Sequence, residues 1–551
     1  MSSTVFRLLG AWRPVLSRLA GWLKPAEPEP QDVPFSEADI ARLYGLGAQD
    51  ADGLDDQTWR DLLLDRYGAI LFEEVSIFGR QALYRRLRIG SSEADLATRR
   101  ARIEALLADP DAAARLQRML RSLRHADSEV AGLLFDPGER MPAPPAWLRW
   151  WFLLPLGLLA SIAAALLVSP AAWLSTAAVM AVLVSAQMRH GDAIGAWQRK
   201  TLSLQMLLRT CSLLDAGQGG FAPSLTAGFD GRGATAGRIN RSLPPSMLGG
   251  QVPGMREYGD WFLLANVRHF YKTLGIVFAW RDFLGECYSL CADLEADLAL
   301  VRHLRGLGGR AWCWAQRSGA RALALEDGVH PLIDGGMGLS IALDGKGAFI
   351  SGQNGVGKST LLRMLGLNLA AARAFGFCYA RRASLPALPV FASMQNEDSL
   401  LGGQSLYIAE LARARALLAA AQDGRPVVCL VDEIFRGTNY EESVSAAAAV
   451  LDELSQHALV VVSSHNLVLG PLLAHRLAPW RVARDAGGAL RLAPGVLGRT
   501  NGVALLADHG FAAAVCAKAA SVAGWMAGQR HAEVGADLLA RASGKGNGLA
   551  A

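Results

Sequence analysis

Cysteine is scarce in this 551-residue chain and poorly placed for covalent or metal cross-linking. The seven cysteines (Cys211, Cys287, Cys291, Cys313, Cys378, Cys429 and Cys516) are odd in number, scattered, and mostly set inside apolar runs. That pattern excludes a disulfide framework and predicts reduced core residues in a cytosolic compartment. Cys287 and Cys291 stand at i,i+4 on a predicted helix, but no second ligand pair with zinc spacing follows, so no structural zinc is expected. A dominant charge sign is also lacking: 55 basic against 50 acidic residues leave a net charge of +5. Such a balance permits contact with nucleic acid or anionic lipid and demands neither. No helix-turn-helix, zinc finger or aromatic nucleic-acid platform stands out. No acid precedes Glu27. The opening segment also has no continuous apolar stretch of the length a secretory signal needs. Instead Arg7, Arg13, Arg18 and Lys24 interleave with Leu, Phe and Trp, a basic amphipathic pattern suited to an anionic membrane surface, with Pro14 as a kink. Pro25 to Pro34 reads as a Pro/acid-rich linker.

What is present is a complete phosphate-binding loop, GQNGVGKS, from Gly352 to Ser359. Gly352, Gly355 and Gly357 let backbone N–H groups converge on phosphate oxygens with no Cβ in the way. Lys358 then reaches the β/γ-phosphates, Ser359 offers a hydroxyl to Mg²⁺, and Asn354 and Thr360 complete the loop. The apolar run Gly347 to Ser351 predicts the strand before the loop, and KSTLLRMLGLNLA the helix after it, its positive dipole end toward the phosphates. A second apolar run, Val427 to Val431, ends in Asp432-Glu433, which reads as a buried parallel strand with two carboxylates at its C-terminal edge. Asp432 is placed to hold Mg²⁺ and Glu433 to orient the attacking water. A third strand, Ala458 to Val462, brings His465 to the same edge as a γ-phosphate sensor. The expected cofactors are therefore ATP and Mg²⁺.

The string Asp432-Glu433-Ile434-Phe435-Arg436-Gly437-Thr438-Asn439 resembles the D-E-I-x-R-G-T signature of the MutS family of ATPases. Other matches fall in family order: His330-Pro331, the G-x-N-x-x-G-K-S-T loop, G-x-S-x-Y-x-x-E from Gly403 to Glu410, and Leu492-Ala493-Pro494-Gly495 followed by Asn501-Gly502. The resemblance covers roughly residues 320 to 515. It implies head-to-tail pairing of two ATPase domains, with Ser405 of one protomer touching the γ-phosphate held by the other, and hence a homodimer with composite ATP sites. Gln353 and Gly355-Val356 depart from the family's usual loop toward that of ABC ATPases. Leu401-Gly402-Gly403-Gln404 also resembles the ABC signature L-S-G-G-Q. Against a transporter, Ile434 to Thr438 stand where Pro-Thr-Ser would follow the carboxylates, and the chain offers far fewer membrane spans than a transporter half.

Trp150 to Val168 and Ala171 to Met188 are charge-free runs separated only by Ser169-Pro170. At ~1.5 Å per residue each spans about 28 Å, close to a bilayer core. Arg149 precedes the pair and Arg189, Arg199 and Lys200 follow it, so the positive-inside rule places both ends in the cytoplasm. The expected fold is thus an α/β P-loop ATPase domain, with an ABC/MutS-like sheet, joined to an all-α helical core interrupted by a two-helix transmembrane hairpin. The boundaries read as a basic segment and linker over 1–34, a first helical part over 35–146, the hairpin over 147–190, and a second helical part over 191–310. The ATPase domain follows over 311–515 and a helical or disordered tail over 516–551. Within the second helical part, residues 217–259 are rich in Gly and Pro and read as a loop.

Phe35-Ser36-Glu37 and Phe72-Glu73-Glu74 match by letters the F-x-E motif of mismatch recognition, but each sits in a helical or linker context without the separate α/β domain that the family uses. The chain between the helical blocks is also too short for a full DNA clamp. Two functions follow as expectations. The first is a multi-pass protein of the inner (cytoplasmic) membrane, its N-terminal, core and ATPase regions in the cytoplasm, in which ATP drives a DNA-binding conformational switch. The second is a membrane-associated mechanochemical or scaffold ATPase without DNA.

Overall fold

The computed structural model describes residues 32–47, 53–217, 220–244, 255–336, 338–394, 406–484, 490–498 and 501–529. The amphipathic N-terminal segment, most of the Pro/acid linker, Ser405 with the Leu401–Gln404 stretch, and the Gly/Ser/Lys tail lie outside the described residues.

The N-terminal part is helical for local reasons. Ser36 caps α1 (Glu37–Leu46) by accepting from Asp39 N at 3.1 Å, while the Asp39 carboxylate accepts from Ser36 N, a reciprocal capping box. Phe35-Ser36-Glu37 is therefore a helix start. Helices α2 (Ile77–Ile89) and α3 (Glu93–Ala108) follow, the latter capped by Ser92.

Here the structure corrects the sequence reading. The first apolar run yields only α4 (Leu153–Leu167), a 15-residue helix, because Ala146–Trp150 wind as a 3₁₀ turn ahead of it. At ~1.5 Å per residue α4 reaches about 22 Å, short of a ~30 Å hydrocarbon core. The second run does not stop near Met188 but continues as one helix, α5 (Trp173–Ala216), of 44 residues. Among the described residues one helix, not two, is long and apolar enough to cross a membrane, Pro170–Ala216 including its first 3₁₀ turn. The pair still packs together, with Thr176 Oγ1 donating to Ser161 Oγ at 3.0 Å.

The Gly/Pro-rich stretch is also more ordered than its composition predicts. It contains α6 (Arg232–Ser242), packed along α5. Gly231 supplies the left-handed cap at φ 72°, and the N–H groups of Gly231 and Gly233 both donate to Asp215 of α5 at 2.9 and 3.0 Å. A Cβ on Gly233 would stand 2.5 Å from Asp215 Oδ2, so this glycine is required by close packing. Helices α7 (Ala265–Ala279) and α8 (Arg281–Gly306) complete the core; the buried Trp197 Nε1 of α5 donates to Thr273 Oγ1 of α7 at 2.8 Å.

At its centre α8 carries Asp297, fully buried and paired with Arg86 at 2.9 Å and with Arg99 and Arg102 at 3.3 Å. An unpaired buried carboxylate would be costly; three guanidinium groups from α2 and α3 satisfy it and fix those helices against α8. Burial and the nearby Arg86 charge push Arg99 down to about 10, against the pull of Asp297.

The C-terminal part is α/β. Its strands are β1 (Cys313–Trp314), β2 (Gln316–Arg317), β3 (Ala322–Gly328), β4 (Leu339–Asp344), β5 (Gly347–Gly352), β6 (Phe377–Cys378), β7 (Arg382–Leu385), β8 (Val390–Ser393), β9 (Val427–Asp432), β10 (Ala458–Ser463), β11 (Leu477–Arg484) and β12 (Leu490–Pro494). Six form the main sheet in the order β12-β11-β5-β10-β9-β8, parallel except for β12. Strands β5, β9 and β10 are buried at every position, as apolar runs in a parallel sheet covered on both faces must be. Helix α9 (Lys358–Phe375) lies between this sheet and the helical core; a methyl on Gly366 would meet Leu62 of the core at 2.3 Å and Leu430 of β9 at 2.9 Å. Helices α10 (Leu406–Gln422) and α11 (Tyr440–His457) pack against each other beside β9 and β10.

Replacing Asp297 by Ala is expected to destabilise the helical core by about 3–5 kcal/mol, because three guanidinium groups lose their buried partner. Urea unfolding followed by helical circular dichroism checks this; a loss below ~1 kcal/mol, the range of an exposed pair, would refute the cluster's structural role.

Candidate functional site

The register of the parallel sheet gathers the site. Ser463 at the end of β10 stands beside Asp432 at the end of β9 on one side and beside Ile350 of β5 on the other, so three strand ends meet at one edge. From there the chain enters the phosphate loop. Gly355 and Gly357 adopt φ 73° and 109°, conformations that disfavour any side chain, and Gly357 is the N-cap of α9. A Cβ on Gly352 would approach Val356 Cγ1 to 2.9 Å, so the strand end must be bare for the loop to turn. Asn354 N donates to Asn501 Oδ1 at 2.9 Å, which ties the loop to the segment following β12.

Lys358 is buried, and its ammonium donates to the carbonyls of Gly352 and Gln353, each at 3.2 Å. An ammonium has three donors, so one remains beyond these two bonds. Asn354, Gly355, Gly357, Lys358, Ser359, Thr360, Glu433 and His465 line a cleft of about 530 Å³ over the helix N-terminus. The buried cation, the bare left-handed glycines and the helix dipole fit a polyphosphate. Asp432 lies beneath this cleft, 3% exposed, and its Oδ1 accepts the Ser463 hydroxyl. Asp432 and Ser359 supply the hard oxygen donors that suit Mg²⁺. Of the residues assigned to the ATP site from the sequence, Ser405 alone lies outside the described residues.

Glu433 sits at φ 55°, its N–H donating to Ser463 O at 2.9 Å. Its Oε1 is 3.0 Å from His465 Nδ1. The hydrogen bond from His465 holds the Glu433 carboxyl below its ordinary range; partial burial opposes this, and the charges of His465, Arg436 and Lys358 reinforce it. The carboxylate is thus kept ionised at neutral pH.

The signature loop after β9 is held under strain. Phe435 is fully buried at φ 58°, so with Glu433 two non-glycine residues within three positions occupy left-handed backbone, at a cost of about 1–3 kcal/mol each. Glu410 of α10 restrains the loop: its Oε2 accepts from Arg436 N at 2.9 Å and Gly437 N at 3.3 Å, and its Oε1 lies 3.6 Å from Arg436 Nε. Arg436 in turn places Nη1 3.8 Å from Glu433 Oε2. Glu410 and Arg436 stand inside family-like strings that assign neither a role, and the sequence alone points to no role for Ser463 or Asn501. The signal for Ser463 was its position at the end of a strand parallel to β9.

A model of MutS domain V matches residues 348–478. The chain is 29% identical to the DNA mismatch repair protein MutS of Thermus aquaticus over 267 residues, 47% of this chain and 32% of that protein. It is 30% identical to the MutS of Geobacillus thermodenitrificans over 186 residues, 32% and 20% of the two chains. With the MutS of Erythrobacter litoralis it shares 27% identity over 321 residues, 54% and 35%. The matched part thus spans about a third or less of each of these relatives.

Gly437 has no room for a side chain: a Cβ would stand 2.7 Å from Tyr407 N. Gly437→Ala is expected to displace the loop from Glu410 and α10, lowering ATP turnover at least about tenfold through misplacement of Glu433, with ATP binding retained. Steady-state hydrolysis beside equilibrium nucleotide binding checks this, and unchanged turnover would show the loop position to be immaterial. The loop, the carboxylate pair and the matched domain converge on one relationship, and the chain is a MutS-related protein through its α/β domain.

Proposed function

We propose that the chain binds and hydrolyses ATP as the conformational switch of a homodimer attached to the cytoplasmic membrane, with DNA as its partner. The observation that carries the enzymatic part is the convergence of Lys358, Ser359, Glu433 and His465 around a single cleft, with Asp432 next to Glu433 at the end of β9. The loop N–H groups and Lys358 bind the phosphates of ATP. Ser359 and Asp432 hold Mg²⁺, which when bound neutralises phosphate charge. Glu433, ionised and oriented by His465 and Arg436, accepts the hydrogen bond of the attacking water and aligns it. His465 reports on the γ-phosphate position. Ser405 from the second protomer completes the site, so closing the dimer and binding ATP are one event.

Membrane attachment draws support from the outer surface of α4 and the start of α5, where Leu156, Leu159, Leu166, Leu167, Leu174 and Met188 are each more than half exposed. An apolar surface of this extent marks an interaction or membrane site. Arg149 before α4 and Arg189 in α5 border this apolar surface, and basic residues at the margin of a membrane-facing surface favour the cytoplasmic side. The N-terminal, core and ATPase regions then lie in the cytoplasm. DNA as the partner draws support from the relatives, which are DNA mismatch repair proteins. A second reading, a membrane-associated mechanochemical ATPase without DNA, is favoured by the chain's matching only about a third of those proteins.

Glu433→Gln is expected to abolish turnover while leaving ATP binding intact and accumulating ATP-bound dimers, whereas Lys358→Ala loses binding itself. Hydrolysis by the full-length protein in nanodiscs, with linear, mismatched and branched DNA, checks both. Stimulation by one DNA form supports the first reading; turnover indifferent to all of them supports the second; turnover undiminished in Glu433→Gln overturns the assignment of the water-orienting carboxylate.

A further inference from the structure

Two of the seven cysteines meet where the helical core joins the α/β domain. Cys313 of β1 stands directly opposite Cys378 of β6 in an antiparallel pair, with Sγ atoms 3.9 Å apart. Cα atoms facing each other across such a pair are about 4.5–5.5 Å apart, inside the ~4.4–6.8 Å that a disulfide spans. The two thiols therefore need little more than side-chain rotation to bond, although 65 positions separate them in the chain. Cys378 is fully buried, whereas Cys313 is partly exposed and within reach of a dissolved reagent.

The pair is polarised. The Cys378 thiol donates to the Cys313 sulfur, which holds Cys313 below the ordinary thiol range; partial burial opposes this and the Ala383 N–H reinforces it. Cys378, the donor in that bond and buried besides, is pushed up. The thiolate is the nucleophile in disulfide exchange, so Cys313 attacks first. Among the described residues no group of three His, Cys, Asp or Glu is arranged to hold a metal, which leaves these two sulfurs to dithiol chemistry. A second close pair sets the contrast. Cys211 of α5 and Cys287 of α8 have Sγ atoms 3.5 Å apart, but both are 0% exposed inside the helical core and closed to a dissolved reagent.

We infer that Cys313 and Cys378 form a reversible redox modification site whose substrate is a low-molecular-weight disulfide of the glutathione class. The Cys313 sulfur attacks one sulfur of the oxidant, forming a protein–glutathione disulfide and releasing one glutathione thiolate. That bond removes the acceptor of the Cys378 proton. Cys378 then gives its proton to solvent and attacks Cys313 Sγ, expelling the second glutathione. Two protein thiols lose two electrons and two protons, and one oxidised glutathione becomes two reduced. Transient bonds of this kind are the form that disulfides usually take in the cytosol. The bond also has a mechanical effect. β1 is the first strand after α8, and β6 follows α9 after Gly376 alone. Tyr379 N, next to Cys378, donates to Asn368 of α9 at 2.7 Å. Oxidation therefore ties the end of α9 to the chain leaving α8, and in the ATPase reading a tether there slows turnover.

The test exposes the full-length protein in nanodiscs to oxidised and reduced glutathione at varied ratio, alkylates the remaining thiols and maps the peptides by mass spectrometry. Oxidation should remove the Cys313 and Cys378 thiols together, as one cross-link that dithiothreitol reverses. Cys378→Ala should trap glutathione on Cys313, and Cys313→Ser, at a partly exposed position, should leave Cys378 reduced. Hydrogen exchange in the last turn of α9 should slow on oxidation of the wild type and not of Cys313→Ser. ATP turnover should fall on oxidation and recover with dithiothreitol, again in the wild type alone. Unchanged helical circular dichroism certifies that the variants fold. No cross-link at the most oxidising ratio, a Cys211–Cys287 cross-link in its place, or glutathione on Cys378 in Cys313→Ser would each overturn the inference. A cross-link that leaves both exchange and turnover unchanged would overturn the role assigned to it at the end of α9. The turnover arm rests on the ATPase reading: if neither redox form hydrolyses ATP, that reading fails, while peptide mapping and hydrogen exchange still decide the redox site.

Discussion

The carbonyl of Ala374, in the last turn of α9, accepts from Arg99 Nη1 at 2.7 Å and from Ser91 Oγ at 2.8 Å, and the relation between the two halves of the molecule depends on that hold. Ser91 N donates to the neighbouring Arg373 carbonyl at 3.1 Å, and Arg373 Nη2 reaches back to Ile89 O. The last carbonyls of a helix lack intrahelical partners and carry its negative dipole end, so a buried guanidinium there satisfies them and matches the charge. Arg99 is itself pinned by Asp297 at 3.3 Å. The other end of α9 is Lys358 and the glycine cradle. One 18-residue helix, about 27 Å long at ~1.5 Å per residue, therefore has the phosphate loop at one end and the buried ionic cluster of the helical core at the other. Because Gly366 leaves no space for even a methyl between core and sheet, α9 cannot slide between them without moving one or the other.

The same economy of space explains the strained backbone at the active edge. Glu433 must turn out of β9 toward the cleft immediately after Asp432 stays buried beneath it. A left-handed residue at that point reverses the chain within one position, and a second at Phe435 returns an apolar side chain to the core. Packing of Phe435 against Tyr407, with ring centroids 5.9 Å apart, and the acceptance of two loop N–H groups by Glu410 offset the strain. Glu410 belongs to α10, whose N-terminal end follows directly on Ser405. Ser405, the serine that the family resemblance assigns to a neighbouring protomer, thus stands five residues before Glu410 in the chain, the carboxylate that positions the loop after β9.

The chemistry was legible in the sequence because it is written in short local strings whose backbone demands are local too: bare glycines where φ is positive, a lysine after them, carboxylates at the end of an apolar run. The three strands of the edge were legible for the same reason. The Glu433–His465 bond, the Glu410 restraint and the closure of Asn501 over Asn354 were not, since each joins segments that only the sheet register and the packing of α10 bring together. Composition misled at Gly231 and Gly233, where glycine density signals close approach to α5. It also misled at the apolar pair, where the absence of charge could not show that a 3₁₀ turn would shorten the first helix or that the second would run on past Met188.

That continuous helix has its own consequence. The first part of α5 presents Trp173, Leu174, Val182 and Met188 outward, while its later part buries Trp197, Leu204, Leu207, Leu208, Cys211 and Leu214 in the core. No break separates the two parts, and α6 and α7 brace the buried half. An apolar surface inserted in lipid would therefore hold the core at a fixed distance, since nine residues of α5, about 14 Å at ~1.5 Å per residue, separate Met188 from the buried Trp197. Any rotation of the core driven from α9 would have to be expressed as rotation or tilt of α5 itself. Attachment through a flexible linker would decouple the two; attachment through this continuous helix, which is also a core element, would couple the α/β domain mechanically to whatever surface the apolar end occupies.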